Sequence, residues 1–324
     1  MKTYLPLFFF LFSFKLFAQQ DAQYSQYMFN TMVINPAYAG YKGTFNASLL
    51  HRDQWSGFEG APRTQSMVVD NSVGRDNRMG LGLSIINDKI GLQRHSSAHV
   101  NYSYRIPVSH EDARLAFGLS LGVSQFTMNS YNASLRDSED PNFDDKRTYF
   151  VPDARFGLYY SDSKLYAGFS ATNLFAGVID YDQVGENTIA TQARHYFLTG
   201  GYLIDINEDT KFKPSFLIKE DTKGPTSLDI NSSFLLKEKL WLGASYRTGV
   251  NLWKKNSWNN SVFKQNSLVG VVEVYFLDKI RVGYAYDYSL SKLGTYTNGT
   301  HEISLGLILN SNRRSTALLT PRYF

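Results

Sequence analysis

The chain has 324 residues and no Cys, which excludes disulfide frameworks, zinc–thiolate sites, thiol catalysis and iron–sulfur clusters. Charged residues make up only 19% while aromatic residues reach 15%, with 23 Phe, 22 Tyr and 24 Gly. That composition is unusual for a soluble domain and ordinary for an outer-membrane β-barrel. A formal charge of +4 is too small to indicate a nucleic-acid partner. The mean hydropathy of −0.30, with no long apolar run beyond the N-terminus, argues against a helical membrane bundle.

Residues 1–18 read as a secretory signal peptide: Lys2, an apolar run from Leu5 to Phe14, then Ala18 before Gln19. The run is too short to span a bilayer as a helix. Lys15 and Leu16 depart from the small residues preferred before a cleavage site. The mature chain is expected to start near Gln19, in an oxidising envelope compartment where a Cys-free chain is safe.

From Phe45 onward the dominant period is two. Ala98, Val100, Tyr102, Tyr104 and Ile106 alternate with His99, Asn101, Ser103 and Arg105. Leu115, Phe117, Leu119, Leu121 and Val123 alternate with Ala116, Gly118, Ser120, Gly122 and Ser124. The same alternation recurs along 153–160, 212–219 and 280–288. One apolar face and one small or polar face, in segments of about ten residues, is the transmembrane-strand pattern. It predicts fourteen strands: 45–53, 63–70, 79–86, 97–107, 114–126, 152–160, 165–173, 195–204, 211–219, 227–237, 240–248, 267–277, 280–288 and 301–309.

The connections after odd-numbered strands are long, above all 127–151 and 174–194, and those after even-numbered strands are short. A secreted β-sandwich gives no reason for that alternation. An outer-membrane barrel does, with short periplasmic turns and longer extracellular loops. The expected architecture is therefore an all-β transmembrane barrel (44–310), both ends periplasmic. Tyr102 and Tyr104 end a downward strand and Tyr284, Tyr286 and Tyr288 an upward one, supplying interfacial rings at both boundaries. The even strand count and closure leave no free sheet edge.

Fourteen strands enclose a lumen wider than side chains alone fill, so residues 19–43 are expected to fold into it as an N-terminal plug. The candidate plug residues are Gln26, Tyr27, Asn35, Pro36, Ala37 and Gly40. Pro36 fixes its own φ and biases Asn35 toward extended geometry, while the Asn side chain can satisfy backbone groups. Either a locked lumenal segment or an ordinary surface turn fits that motif. Ser25 to Asn30 reads as a short amphipathic turn that packs within the plug.

The first extracellular loop carries Arg52, Gln54, Trp55, Gly57, Gly60 and Pro62. Its glycines and proline shape a turn, whereas Trp55 and Phe58 are large apolar residues without an obvious core. The readings are a binding or lumen-closing loop and a loop packed on its own barrel. Tyr131, Phe143, Trp253 and Trp258, in the longest loops, are of the kind that anchors protein interfaces.

Catalytic and metal signals are weak. The acidic stretch 137–145 offers oxygen ligands for Ca²⁺ but lacks EF-hand spacing, so a solvated loop is favoured. His95 and His99 lie four apart, roughly 13 Å on extended backbone, too far to share a metal. No nucleophile elbow, phosphate loop or His-Glu-x-x-His occurs, nor a convincing outward Ser–His pair for lipid hydrolysis. No catalytic residue, metal or cofactor is expected.

Gln23-Tyr-Ser-Gln-Tyr-Met-Phe-Asn30, Ile34-Asn-Pro-Ala-Tyr-Ala-Gly40, Arg52-Asp-Gln-Trp55 with Gly57-Phe58 and Gly60-Ala-Pro62, and His301-Glu-Ile-Ser-Leu305 together resemble the PorP/SprF family. These are outer-membrane proteins of the Bacteroidetes type IX secretion system, associated with gliding motility. The resemblance spans roughly 22–310, and the tail 311–324, expected in the periplasm, lies outside it. Asn35-Pro36-Ala37 also resembles the box in the N-terminal hatch of FadL-type barrels. The resemblance implies a non-enzymatic role in secretion or surface anchoring of large adhesins with C-terminal sorting domains. The implied partners are such an adhesin, periplasmic peptidoglycan-linked secretion components and outer-membrane lipid, with no nucleic acid. The alternative is a FadL-like transporter of hydrophobic small molecules. The inferred inward faces of Ser, Gly, Asn, Thr, Lys and Asp weigh against it.

Overall fold

A computed structural model describes residues 23–309 apart from 75, 109–112, 130–145, 177–192, 223, 251, 253–265 and 277–278. Three single-turn 3-10 helices, Tyr27–Phe29, Thr31–Val33 and Pro36–Tyr38, precede the first strand. Then follow β1 (Phe45–Asp53), β2 (Arg63–Val73), β3 (Met79–Ile90), β4 (Gln93–Pro107), β5 (Arg114–Asn129), β6 (Lys146–Ser161), β7 (Leu165–Thr172), β8 (His195–Tyr202), β9 (Ile204–Asn207), β10 (Thr210–Asp221), β11 (Thr226–Leu236), β12 (Leu240–Val250), β13 (Ser267–Phe276), β14 (Ile280–Ser289) and β15 (Thr300–Leu309).

Each strand pairs antiparallel with its neighbours in sequence, and β15 pairs with β1, so the sheet closes on itself. β8 and β9 are one stave: both pair with β10, and buried Leu203 is the jog between them. The ring therefore has fourteen staves. Closure leaves no stave as a sheet edge, which a strand structure in hydrocarbon requires, although β6 pairs with β7 only from Phe156 onward. Among the described residues, no helix is long and apolar enough to cross a membrane.

The period-two pattern is realised as a change of face. Val100, Tyr102, Tyr104 and Ile106 are exposed, while His99, Asn101, Ser103 and Arg105 are buried. Phe117, Leu119, Leu121 and Val123 point outward on β5. The buried set is mostly polar on the wall, and its main apolar cluster joins the N-terminal segment (Tyr24, Tyr27, Met28, Met32, Val33, Ile34 and Ala37 among others) to inward wall residues such as Tyr159, Tyr166, Phe197 and Trp241. This is a barrel turned inside out relative to a soluble one, with lipid as the outer solvent.

Strand ends differ from the sequence expectation in two places. The connection expected over 87–96 is only 91–92, where Gly91 takes a left-handed turn (φ 54°), so β3 and β4 run on as a tall hairpin. Polar residues such as Asn87, Ser96 and Gln125 ended the apolar alternation early, yet they continue the ladder above the apolar band. β5 and β6 likewise extend to Asn129 and from Lys146, in register along their whole length.

Candidate functional site

Residues 24–40 have single 3-10 turns and irregular links, so many of their carbonyls and amides find no partner within the segment. Buried unpaired backbone groups cost about 1–3 kcal/mol each, so such a segment is stable only where another element supplies partners. The barrel wall does. Inward arginines donate to its carbonyls in turn: Arg247 to Tyr24 (3.3 Å), Arg281 to Phe29 (2.8 Å), Arg155 to Val33 (3.3 Å) and Arg105 to Ala39 (3.3 Å) and Gly40. The Ser170 and Ser103 hydroxyls donate to the Ile34 and Ala39 carbonyls, both at 2.6 Å. Carboxylates take the amides: Glu302 accepts from Ser25 and Gln26, and Asp70 from Gly40.

The partners belong to β1, β2, β4, β6, β7, β11, β12, β14 and β15. A segment touching staves all around a closed ring lies inside it. It also has a direction. Tyr24 to Gln26 sit by Arg52, Arg247, Asp287 and Glu302, at the end where the long connections leave. Ala39 and Gly40 sit by Asp70 and Arg105, near the short turns. The segment thus runs the length of the lumen before entering β1.

At the loop-rich end the charges form one buried network. Arg52 Nη1 donates to Glu302 Oε2 (3.0 Å) and to the Ser25 hydroxyl (2.7 Å), and Arg52 Nη2 reaches Asp287 (3.4 Å). Asp287 also accepts from Arg247 Nη1 (3.0 Å), whose Nε and Nη2 hold Asp229. Glu302 is fully buried (0% exposed), so its charge depends on Arg52 and the two amides. Midway, Asp153 accepts from Arg155 Nε (3.2 Å) and pairs with His99 Nε2 (2.8 Å). Lys213 Nζ stands 4.4 Å from the centroid of the Trp241 ring.

The residues singled out by sequence fall as follows. Gln26 bonds Glu302 twice, its amide donating to the carboxylate and its side-chain Nε2 to the backbone carbonyl, and its Oε1 accepts from the Ser304 hydroxyl. The Tyr27 hydroxyl accepts from Asn231. Asn35 caps the turn over Pro36 by accepting from the Ala37 amide (2.9 Å), and its Nδ2 donates to the Leu158 carbonyl (2.9 Å). Asn35, Pro36 and Ala37 are all buried, so the surface-turn alternative does not describe them. Gly118 and Gly157 let this turn approach: a Cβ at Gly118 would collide with the Ala37 backbone, and one at Gly157 with the Asn35 side-chain oxygen.

Arg52, grouped by its motif with the first loop, lies within β1, inside the bounds 45–53 expected for that strand. β1 extends to Asp53, and alternation turns Arg52 inward to the network. The remaining members of that motif do form the β1–β2 connection. The Gln54 amide donates to the Pro62 carbonyl, and the Trp55 amide (φ 53°) to Thr300 Oγ1. The Ser56 amide donates to Gly299, and that of Asn298 returns to Ser56. Gly57 lies against Asn298 and Gly60 against Gly91, and Pro62 is buried. The backbone of this loop is thus tied to the neighbouring 298–300 segment, while Phe58 at its tip stays 55% exposed. Tyr131, Phe143, Trp253, Trp258 and the acidic stretch 137–145 lie outside the described residues.

Outside the strands, the β6–β7 turn holds a perturbed acid. Partial burial works to raise the Asp162 carboxyl, but the Leu165 (2.7 Å) and Lys164 (2.8 Å) amides and the Tyr160 hydroxyl outweigh it and hold it below the usual range.

Sequence reasoning missed the pairings. Arg105, Arg155, Arg281 and Asp287 were visible as charges on the polar face. Period two cannot show that ring closure sets β1 beside β15 and so brings Arg52, Glu302 and Asp287 together at the seam.

A closed antiparallel ring with an apolar outer wall and a charged, hydrogen-bonded interior is an outer-membrane β-barrel. A solved channel shares that fold. The "CymD monoaromatic hydrocarbon channel" superposes with a TM-score of 0.54 at 11% identity, covering 87% of this chain and 93% of that one. Omp33 of Acinetobacter baumannii gives 0.42 at 10% identity, over 83% and 100%. No curated protein matches. The model of the type IX secretion system membrane protein PorP/SprF family matches residues 16–307, and the chain belongs to that family.

Proposed function

We propose that the protein is a non-enzymatic outer-membrane component of type IX secretion that supports secretion or surface anchoring of large adhesins with C-terminal sorting domains. The family match over residues 16–307 carries this reading. In it, residues 1–18 are a cleaved signal peptide, the long connections face outward, and the short turns with the tail 311–324 face the periplasm, where peptidoglycan-linked secretion components are met. Residues 19–43 act as a plug, with Gln26, Tyr27, Asn35, Pro36, Ala37 and Gly40 as its fixing points. The inward arginines and carboxylates engage the protein's own chain, which favours a docking and anchoring role over a solute path. Adhesin capture then falls to the long connections, with Trp253, Trp258, Tyr131 and Phe143 as contacts. A FadL-like uptake route would need an apolar inward track, and Arg52, Arg155, Arg247 and Glu302 occupy that face.

The test is a clean deletion followed by comparison of cell-surface and supernatant proteins with the parent. Loss or shedding of one large adhesin is expected of a dedicated partner, and loss of all type IX cargo of a core component. An unchanged surface proteome would overturn the reading.

A further inference from the structure

The outer wall carries one feature that barrel stability does not explain. Arg63 of β2, Lys89 of β3 and Arg94 of β4 are successive cross-strand partners: Arg63 faces Lys89, and Lys89 faces Arg94. All three are exposed and outward. Neighbouring strands lie about 5 Å apart, and like charges directly opposite one another destabilise a sheet. Only Arg63 has a counter-charge, Asp53 at 2.8 Å. The nearby Asp88 faces the other way and accepts from the Thr64 hydroxyl. Among the described residues, Lys89 and Arg94 have no acidic partner.

Their depth is specific. Below them on the same outward face comes a neutral polar row, His51, Gln65, Asn87 and Ser96, and then the apolar wall of Leu49, Met67, Ile85 and Val100. Four residues separate Ile85 from Lys89, which with a strand tilt near 40° puts the cations about 10 Å above the last apolar row. That is headgroup depth, at the loop-rich end. The row is also local: the loop-proximal outward positions of β12, β13 and β14 hold Tyr246, Leu268 and Tyr288 instead.

We propose that Arg63, Lys89 and Arg94 form a binding site for the phosphate of an outer-leaflet glycolipid, whose acyl chains lie on the apolar wall beneath. Arg and Lys supply charge-assisted donors to phosphate oxygens, and long cationic stems lie naturally along an apolar surface. The bound anion removes the repulsion along the row. This rests on the reading that the loop-rich end faces outward.

The experiment measures binding of bisphosphorylated lipid A, presented in detergent micelles, to the purified full chain. Dephosphorylated lipid A and inorganic phosphate are the comparison probes. K89Q/R94Q is expected to weaken lipid A binding at least tenfold. K237Q/K239Q, at the short-turn end, is expected to leave it unchanged. Unboiled gel mobility reports that each variant is folded. Equal binding of dephosphorylated lipid A, or full binding by folded K89Q/R94Q, would overturn the site. Competition by inorganic phosphate at the lipid's own concentration would overturn the lipid as its source. Orientation is read separately. In this Cys-free chain, E59C should react with an impermeant maleimide on intact cells. Labelling without lipid binding sinks the site alone, and absence of labelling sinks the orientation with it.

Discussion

Arg52 shows how much one inward side chain decides. It neutralises Glu302, reaches Asp287 and binds the Ser25 hydroxyl, all without water access. Removing one partner of a buried pair leaves an uncompensated charge, at about 3–5 kcal/mol, whereas removing both can be close to neutral. Arg52→Ala is therefore expected to lower the temperature at which the heat-modifiable gel shift is lost, and R52M/E302Q to recover most of the difference. Equal losses in both variants would mean that the network contributes little. Asp162 gives a pH signature at the same scale. Its folded carboxyl lies below the ordinary carboxylate value, so the turn's stabilisation is complete above that value. The stabilisation is lost as pH falls through the lowered one. The protection factor of the Leu165 amide, its exchange rate set against the intrinsic rate at each pH, should fall over that acidic window in the native chain, and D162N should show low and pH-independent protection there.

At the scale of elements, the strands were legible because one face meets lipid and the other meets polar partners, and that contrast prints period two on the sequence. Strand ends were not. Once β3 to β6 rise above the apolar band both faces become polar, and alternation of hydropathy disappears while the ladder continues. Arg52 was grouped with the loop motif although it lies inside the expected strand 45–53, where alternation alone turns it inward. The N-terminal segment was legible only as irregular chain, because its order comes from donors and acceptors spread over nine staves. Gly118 and Gly157 belong to this level too: on sequence they are small residues of an inward face, and in the fold they are the seat of the Asn35 turn. Gly157→Val should push that turn off the wall while the ring still closes. Lys42 is the segment's one tryptic site between Gln23 and Thr44. Limited trypsin digestion of the folded variant should cleave there, and the native chain should resist over the same interval. Resistance in both would argue that the turn tolerates displacement.

For the whole molecule the question is what fills the ring. Fourteen staves at a spacing near 4.8 Å and a tilt near 40° give a backbone radius of about 14 Å, too wide for wall side chains to close. The N-terminal segment and inward wall residues such as Tyr159, Phe197 and Trp241 together make the apolar part of the buried core, and the wall adds the polar groups that hold the segment. If that segment is a plug, permeability and secretion are separable properties of one barrel. In planar bilayers the purified chain should give no steady ion conductance, and a variant lacking 24–40, still showing the folded gel mobility, should give porin-sized steps. In cells, the same deletion should sensitise the strain to large antibiotics. If the external loops alone hold the adhesin, it should leave surface anchoring intact. Conductance equal in the two proteins would count against the plug. Loss of both the barrier and the adhesin would show that the segment, whose start lies at the loop-rich mouth, also shapes the docking surface.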